Sequence, residues 1–200
     1  MRGQYFDGSQ QQGFAPPVAS LRYEPIPGTR IVGLGHKARH GKDSVARAIQ
    51  CLAPADVRCF AFATTLYAYC RAIYGMTTKY PTLLQRVGVE QRAINPNIWI
   101  DCVYWAIRDN PAPLVLITDL RFQNEAAFVK AMGGLCVKIE RREPGGAVYQ
   151  SPDRDPAHIS EVDLNDYAWD AIFPHTNTDE ITQNAGYLYN YVRGAHVAAQ

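Results

Sequence analysis

The sequence predicts an α/β fold in which a parallel sheet of about five strands is flanked by helices. Short apolar stretches of strand length alternate with longer segments of helical periodicity along most of the 200-residue chain. The stretch 114–118 (LVLIT) is continuously apolar, as expected for a central strand that is covered on both faces. The stretch 31–34 leads through a glycine-bounded basic loop into a helix. Together these observations predict a doubly wound sheet with right-handed connections.

In the first half of the chain, proline, glycine or asparagine marks the helix boundaries. Pro54 ends the first helix because its ring cannot continue an α-helix, and Gly75 closes the second. Pro81 opens the third helix, and an Asn-Pro-Asn sequence separates that helix from the fourth. We place strands at 31–34 and 57–62, and helices at 42–52, 64–74, 82–94 and 98–107.

The second half continues the alternation of strands and helices. Gly133 and Gly134 close the helix that follows the central strand. Residues 135–140 alternate apolar and polar side chains, which indicates a strand nearer an edge of the sheet. Residues 141–156, rich in Arg, Pro, Gly and Asp, indicate a mobile loop. We place strands at 114–118, 135–140 and 169–173, and helices at 126–132 and 178–192.

The loop between the first strand and the first helix has the composition of a phosphate-binding loop. Gly41 lets the backbone approach a phosphate, and Lys42 can reach the outer phosphates of a nucleotide. The helix that begins at Lys42 directs backbone N–H groups and a positive dipole end toward the loop. Ser44 can offer a hydroxyl group to Mg²⁺. A basic surface turn is the alternative, but the order of strand, glycines, lysine and helix favours the phosphate loop.

A second polar sequence follows the central strand. Asp119 comes directly after residues 114–118, at the C-terminal end of the predicted central strand. In parallel α/β sheets, active-site residues lie at the C-terminal ends of the strands. Asp119 can hold the water shell of Mg²⁺, and Arg121 can neutralise charge on a transferring phosphoryl group. Asp119 can also cap a helix, and the two roles are compatible. Arginines in 141–156 can close over ATP, although a solvated charged loop is the default interpretation of such a segment.

Composition excludes several classes of protein. The net charge is +1, so no overall field attracts nucleic acid or membrane, and a DNA-translocating ATPase is a poor candidate. The basic residues are instead clustered locally, which suggests a small anionic ligand. Five scattered cysteines without a CxxC pair predict reduced, buried thiols in a cytoplasmic protein. No apolar run is long enough to span a bilayer, and the polar N-terminus is not a signal peptide.

Domain organisation follows from the same composition. Residues 1–28 are rich in Gln, Gly and Pro, which predicts a flexible or loosely docked arm. The remainder, 29–200, predicts a single domain with a sizeable core. The predicted helices within 76–110 form an insert between the second and third strands.

Six segments taken together resemble one family. They are HKARHGKDSVA, FAFATTLYAYCRAIYG, LLQRVGVEQRAINPNIWI, TDLRFQNEA, VKIER and HISEVDL, and they run in order across residues 30–192. In this respect the chain resembles the bacteriophage-type deoxynucleoside monophosphate kinases, a branch of the P-loop kinases. The resemblance implies a nucleoside-monophosphate-kinase-like fold, ATP and Mg²⁺, and γ-phosphoryl transfer to a deoxynucleoside 5′-monophosphate. It implies small nucleotides as partners, with no direct binding of nucleic acid or membrane, and a possible homodimer. The implied location is the cytoplasm, that of the host cell if the chain is viral.

The resemblance also assigns residues to roles. It implies that the insert at 76–110 is the acceptor-binding region and that residues 141–157 are a mobile, Arg-rich lid. The residues implied for transfer are Lys42, Asp119 and Arg121, and those implied for Mg²⁺, directly or through water, are Asp43, Ser44 and Asp119. Those implied for ATP phosphates are Gly35, Lys37, Arg39, Gly41, Lys42, Asp43, Ser44, Arg141 and Arg142, and those implied for the acceptor are Gln85, Arg92, Trp99, His158, Ser160 and Glu161.

The loop departs from the family pattern at three positions. His36 stands where a glycine is usual, His40 replaces a small serine, and Ser44 replaces the commoner threonine. A side chain at position 36 requires a backbone conformation that tolerates a Cβ atom. Two further hypotheses therefore stay open: a kinase of the same fold that acts on another small acceptor, and a nucleotide-binding module with a decayed loop and no transfer activity.

Overall fold

The computed structural model describes residues 23–152 and 154–194. In this part of the chain, five strands form one sheet in which every pairing is parallel. The strands are β1 (Arg30–Gly35), β2 (Val57–Phe60), β3 (Leu114–Leu120), β4 (Leu135–Arg141) and β5 (Ala171–His175). Their order across the sheet is β2-β3-β1-β4-β5, so the connections run in both directions from β1. The predicted α/β fold with a five-stranded parallel sheet is confirmed.

Helices cover both faces of this sheet. They are α1 (Lys42–Leu52), α2 (Phe62–Tyr74), α3 (Pro81–Ile94), α4 (Ile98–Asp109), α5 (Gln123–Ala131), α6 (Ile159–Val162) and α7 (Thr178–Gly194). Side chains of β3 alternate between two apolar clusters: Val115 and Ile117 face one, and Leu114 and Leu116 face the other. The first cluster includes residues of α2, α3, α4 and α5, and the second includes residues of α1 and α7. This two-sided burial is what the continuous apolar run of β3 predicts.

Most of the predicted arm, residues 1–22, lies outside the described residues. The described end of the arm, residues 23–28, contacts the domain through Tyr23 and Ile26. Tyr23 donates a hydrogen bond from its hydroxyl to Oδ1 of Asp101 in α4, at 2.7 Å. Its ring packs edge-on against Phe128 of α5, with ring centroids 4.9 Å apart, and Ile26 packs against the same apolar cluster.

The cysteines correct one expectation from the sequence. Cys70 and Cys136 are buried as predicted, whereas Cys51 and Cys59 are exposed and Cys102 is half-buried. Cys51 lies in α1 and Cys59 in β2, an edge strand, where an apolar local pattern does not guarantee burial. Among the described residues, no helix has the length and apolar character needed to cross a membrane.

Candidate active site

The predicted phosphate loop connects β1 to α1 at the C-terminal edge of the sheet. Helix α1 begins at Lys42, as predicted, and Gly41 before it has a φ of 79°, a conformation that favours glycine. At Gly35, a Cβ atom would lie 2.3 Å from the Trp169 ring, so the close approach of that ring also requires glycine. The first N–H groups of α1 have no partners within the helix, and they lie at the mouth of the loop.

Lys42 is buried inside this loop rather than extended into solvent. Its side-chain ammonium group donates a hydrogen bond to the backbone carbonyl of Lys37, so the side chain closes the loop on itself. Burial, with the nearby Arg121 charge, lowers the pKa of Lys42 from 10.5 to about 7. The carboxylates of Asp43, Glu161 and Asp119 oppose this shift. The lysine is therefore surrounded by the other charged groups of the predicted site.

Asp119 links the central strand to the start of α2. One carboxylate oxygen accepts the backbone N–H of Phe62 and the other accepts that of Ala63, each at 2.8 Å. Burial raises the pKa of Asp119, whereas these two hydrogen bonds and the Arg121 and Lys42 charges lower it. Asp119 thus caps α2, a helix that precedes it in the sequence, and it still lines the cleft described below.

Glu125 organises the turn after β3, and the sequence analysis did not single it out. One carboxylate oxygen accepts the backbone N–H groups of Arg121 (2.8 Å) and Phe122 (3.1 Å). The other accepts Nη2 of Arg92 at 3.1 Å, and the Arg92 guanidinium lies 4.3 Å from the centre of the Phe122 ring. Burial and the Asp119 charge raise the pKa of Glu125. Its position directly before the predicted helix at 126–132 was the available signal for a role at the start of that helix.

These groups surround one cleft of about 610 Å³. A smaller cleft of about 150 Å³ adjoins it and shares part of its wall. Predicted residues that line the larger cleft are Arg39, Lys42, Asp43, Arg92, Trp99, Asp119, Arg121 and Ser160, and those that line only the smaller one are Gln85 and His158.

Other predicted residues lie elsewhere. The Arg141 guanidinium lies 4.0 Å from the centre of the Tyr149 ring, and Arg142 forms an ion pair with Glu140 at 2.6 Å; neither arginine lines either cleft. Ser44 is exposed in the first turn of α1. Lys37 and Glu161 line a cavity of only about 20 Å³ between the loop and residues 149–161.

Two residues that line the cleft, Lys79 and Tyr67, carried no sequence prediction. Lys79, just before α3, lies with its ammonium group 5.8 Å from the centre of the Tyr67 ring, and both line the two clefts. Arg154 also lines both. Arg154 lies in the Arg-rich segment 141–157 that the resemblance implies as a lid. Nothing in the sequence pattern distinguishes Tyr67 from the core aromatic residues of α2.

The two histidines that depart from the family pattern fix the loop to its surroundings. His36 Nε2 donates to the backbone carbonyl of Glu161 at 3.1 Å. His40 Nδ1 accepts the backbone N–H of Arg141 at 3.2 Å, so Nε2 carries the hydrogen that is donated to the carbonyl of Tyr149 at 3.0 Å. Both rings are buried, and burial lowers the pKa of each to about 4. His40 therefore fixes part of the predicted lid segment to the phosphate loop.

These histidines predict a loss of stability in mild acid. Unfolded histidine binds a proton near pH 6.5, whereas the folded rings bind one only near pH 4. The free energy of unfolding therefore decreases as the pH falls through this window, by about 2 kcal/mol per ring between pH 7 and 5. Urea unfolding at several pH values in this range measures how steeply the free energy of unfolding changes with pH. His40→Asn should reduce that slope by the equivalent of about one proton. An unchanged slope in that variant would contradict the account.

The side chains of the cleft fit a magnesium ion that is bound together with phosphate. Among the described residues, no group of three or more His, Cys, Asp and Glu side chains could hold a metal by itself. Asp43 and Asp119 line the cleft, and Ser44 lies beside Asp43. Mg²⁺ typically takes one or two carboxylates and completes its shell with phosphate oxygens and water. Asp119 already accepts two backbone hydrogen bonds, which suits contact through water.

Fold and cleft together define an α/β protein of the P-loop kinase fold class. No family model matches the chain. A curated relative from Acanthamoeba polyphaga mimivirus, described as a putative deoxynucleotide monophosphate kinase, is 42% identical over 72 residues. That alignment covers 36% of this chain and 33% of the relative, so the chain matches about a third of the relative's length.

Solved structures align with most of the chain. A putative kinase from Chloroflexus aurantiacus aligns with a TM-score of 0.50 and 10% identity, over 86% of this chain and 98% of its own. The Mycobacterium tuberculosis APS kinase aligns with a TM-score of 0.38 and 12% identity, over 82% of this chain and 99% of its own. At these identities the structural likeness concerns the fold alone.

Proposed function

We propose that the protein transfers the γ-phosphoryl group of ATP, bound with Mg²⁺, to a deoxynucleoside 5′-monophosphate. The observation that carries this proposal is the meeting of Lys42, Asp119 and Arg121 on one cleft. They come from the loop after β1 and the end of β3, two neighbouring strands of the sheet. Phosphoryl transfer needs such an arrangement, because it depends mainly on positioning and on neutralising charge.

The charge of the cleft suits two phosphorylated ligands. Six cationic side chains line it, against three acidic ones. Lys42 and the N-terminus of α1 would bind the phosphates of ATP, and Arg121 would neutralise charge that develops during transfer. Arg92, held by Glu125 and Phe122, would face the acceptor. The acidic residues of this cleft are Asp43, Asp119 and Glu125, and the cationic ones are Arg39, Lys42, Lys79, Arg92, Arg121 and Arg154.

A deoxynucleoside monophosphate is favoured as the acceptor by the viral relative's description and by the sequence resemblance. The larger and smaller clefts together extend from Lys42 to Gln85 in α3, along the predicted acceptor-binding insert. The ligands would be small nucleotides rather than nucleic acid, and the reaction would take place in the cytoplasm.

An acceptor panel tests this proposal. The protein is incubated with Mg-ATP and, in turn, each common deoxynucleoside monophosphate, the matching ribonucleotides, and adenosine phosphosulfate as an unrelated acceptor. We expect ADP and a deoxynucleoside diphosphate in equal amounts with at least one deoxynucleotide. Phosphorylation of only the unrelated acceptor would replace the proposed substrate class. Nucleotide binding without any phosphorylated product would instead support a decayed loop.

Nucleotide binding should also be accompanied by proton uptake. Because the pKa of Lys42 is about 7, this amine is largely neutral at about pH 8, and neighbouring phosphate oxygens would restore its proton. Calorimetric titration with a magnesium-bound, non-hydrolysable ATP analogue, in buffers of different ionisation enthalpy, measures the uptake. We expect about one proton per nucleotide. Lys42→Met should remove it, and equal uptake in both proteins would contradict the assignment of the amine to phosphate binding.

A further inference from the structure

A single carboxylate, that of Glu161 in α6, joins the two parts of the proposed transfer site. Its Oε1 atom forms an ion pair with Nη1 of Arg121 at 2.5 Å. Its Oε2 atom accepts the backbone N–H of Ala38, in the phosphate loop, at 3.1 Å. Glu161 is only 5% exposed, so this bridge is shielded from solvent. The resemblance assigned Glu161 to the acceptor, but Glu161 lines the small cavity between the loop and residues 149–161 and lines neither cleft.

The segment that carries Glu161 is itself held in place. Its own backbone carbonyl accepts the hydrogen bond from His36. Next to α6, Leu164 is completely buried in the core, and Asp163 accepts two hydrogen bonds from Gln123 of α5, at 2.8 Å and 2.7 Å. The carboxylate therefore projects from a fixed backbone, and its position relative to the loop and to α5 is defined by contacts on both sides.

Arg121 depends on this support for its orientation. Its Nη1 atom donates to the Glu161 carboxylate and to the carbonyl of Ser160, at 3.3 Å. These contacts hold one edge of the guanidinium group, while the residue lines the cleft beside Lys42 and Asp119. An arginine side chain has many accessible rotamers, and a displacement of about 1 Å at a transfer site can lower a rate by about 100-fold.

We propose that Glu161 is a positioning residue for phosphoryl transfer: it holds Arg121 and the phosphate loop in register without contacting either substrate. This inference rests on the proposed function. It also accounts for His36, the histidine found where the family has a loop glycine, because that ring fixes the backbone from which the carboxylate projects.

The test compares Glu161→Gln with a matched variant, Glu140→Gln. Glutamine keeps the size of the side chain but removes the charge that pairs with Arg121. Glu140 is also a buried carboxylate in ion pairs, with Lys138 and Arg142, but it lines neither cleft. We expect Glu161→Gln to lower kcat by about 30-fold, with KM for ATP changed less than about threefold. Glu140→Gln should keep the wild-type kcat.

A double-mutant cycle separates positioning from a general structural role. If Glu161 acts through Arg121, then Glu161→Gln should have little further effect on kcat in a protein that already carries Arg121→Ala. Independent, multiplicative losses would overturn the inference, as would a wild-type kcat in Glu161→Gln. If Glu161→Gln does not fold, Glu161→Asp retains the charge but is too short to reach both partners, and full activity in it would equally overturn the inference. A wild-type protein without any transfer activity would refute the proposed function itself.

Discussion

Replacing Lys42 by alanine is expected to lower the rate of phosphoryl transfer by about 1000-fold while the protein stays folded. Two physical reasons combine. The substitution removes the ammonium group nearest to the N-terminus of α1, and it leaves the Lys37 carbonyl without the donor that closes the loop. The transfer rate is measured with saturating ATP and acceptor, and the fold is monitored by circular dichroism and thermal unfolding.

The control for this variant is Lys130→Ala. Lys130 also forms an ion pair, with Asp170 at 2.7 Å, but it lies on α5 and lines neither cleft. We expect it to keep the wild-type rate, since exposed ion pairs contribute at most about 1 kcal/mol to stability. A folded Lys42→Ala variant that retains substantial activity would refute the assignment of the phosphate loop.

Replacing Arg121 by alanine should lower kcat by about 1000-fold, because an arginine at the point of transfer stabilises charge that develops only in the transition state. The reduction in kcat should exceed the change in KM for ATP. Arg121→Lys should recover only a small part of the rate, since Nη1 of the arginine contacts Glu161 and Ser160 and an ammonium group has no further nitrogen to donate to a phosphate.

Arg142→Ala provides the matched arginine control. The sequence resemblance placed Arg142 among the ATP-binding residues, whereas the structure pairs it with Glu140 outside both clefts. We expect kcat and KM within about threefold of wild type, because the Arg142 side chain contacts neither cleft. A large loss of ATP affinity in Arg142→Ala would favour the role implied by the resemblance over the position described here.

Local signals predicted much of the fold and singled out three residues that line the larger cleft. The start of α1 at Lys42 follows from a strand, a glycine and a lysine that are close together in the sequence. The central position of β3 follows from its uninterrupted apolar run. Asp119 and Arg121 were found because a parallel sheet brings the ends of its strands to one edge, where the loop after β1 also lies.

Features that depend on distant partners were missed. Helix α2 begins at Phe62, two residues before the predicted start, because its first N–H groups are capped by Asp119, far away in the sequence. Helix α5 begins at Gln123 rather than 126, in the turn organised by Glu125. The bridging role of Glu161 was not visible for the same reason: a sequence pattern can mark a carboxylate but cannot show which groups it contacts.

The most direct test of the central claim follows the γ-phosphoryl group itself. ATP carrying a radioactive label at that position is mixed with excess protein, Mg²⁺ and a deoxynucleoside monophosphate, and the products of one turnover are separated. If Lys42, Asp119 and Arg121 form one transfer site, the label appears in the deoxynucleoside diphosphate with wild-type protein and stays in ATP with Lys42→Ala or Arg121→Ala. Label that remains in ATP with wild-type protein, or that appears only as inorganic phosphate, would contradict this account.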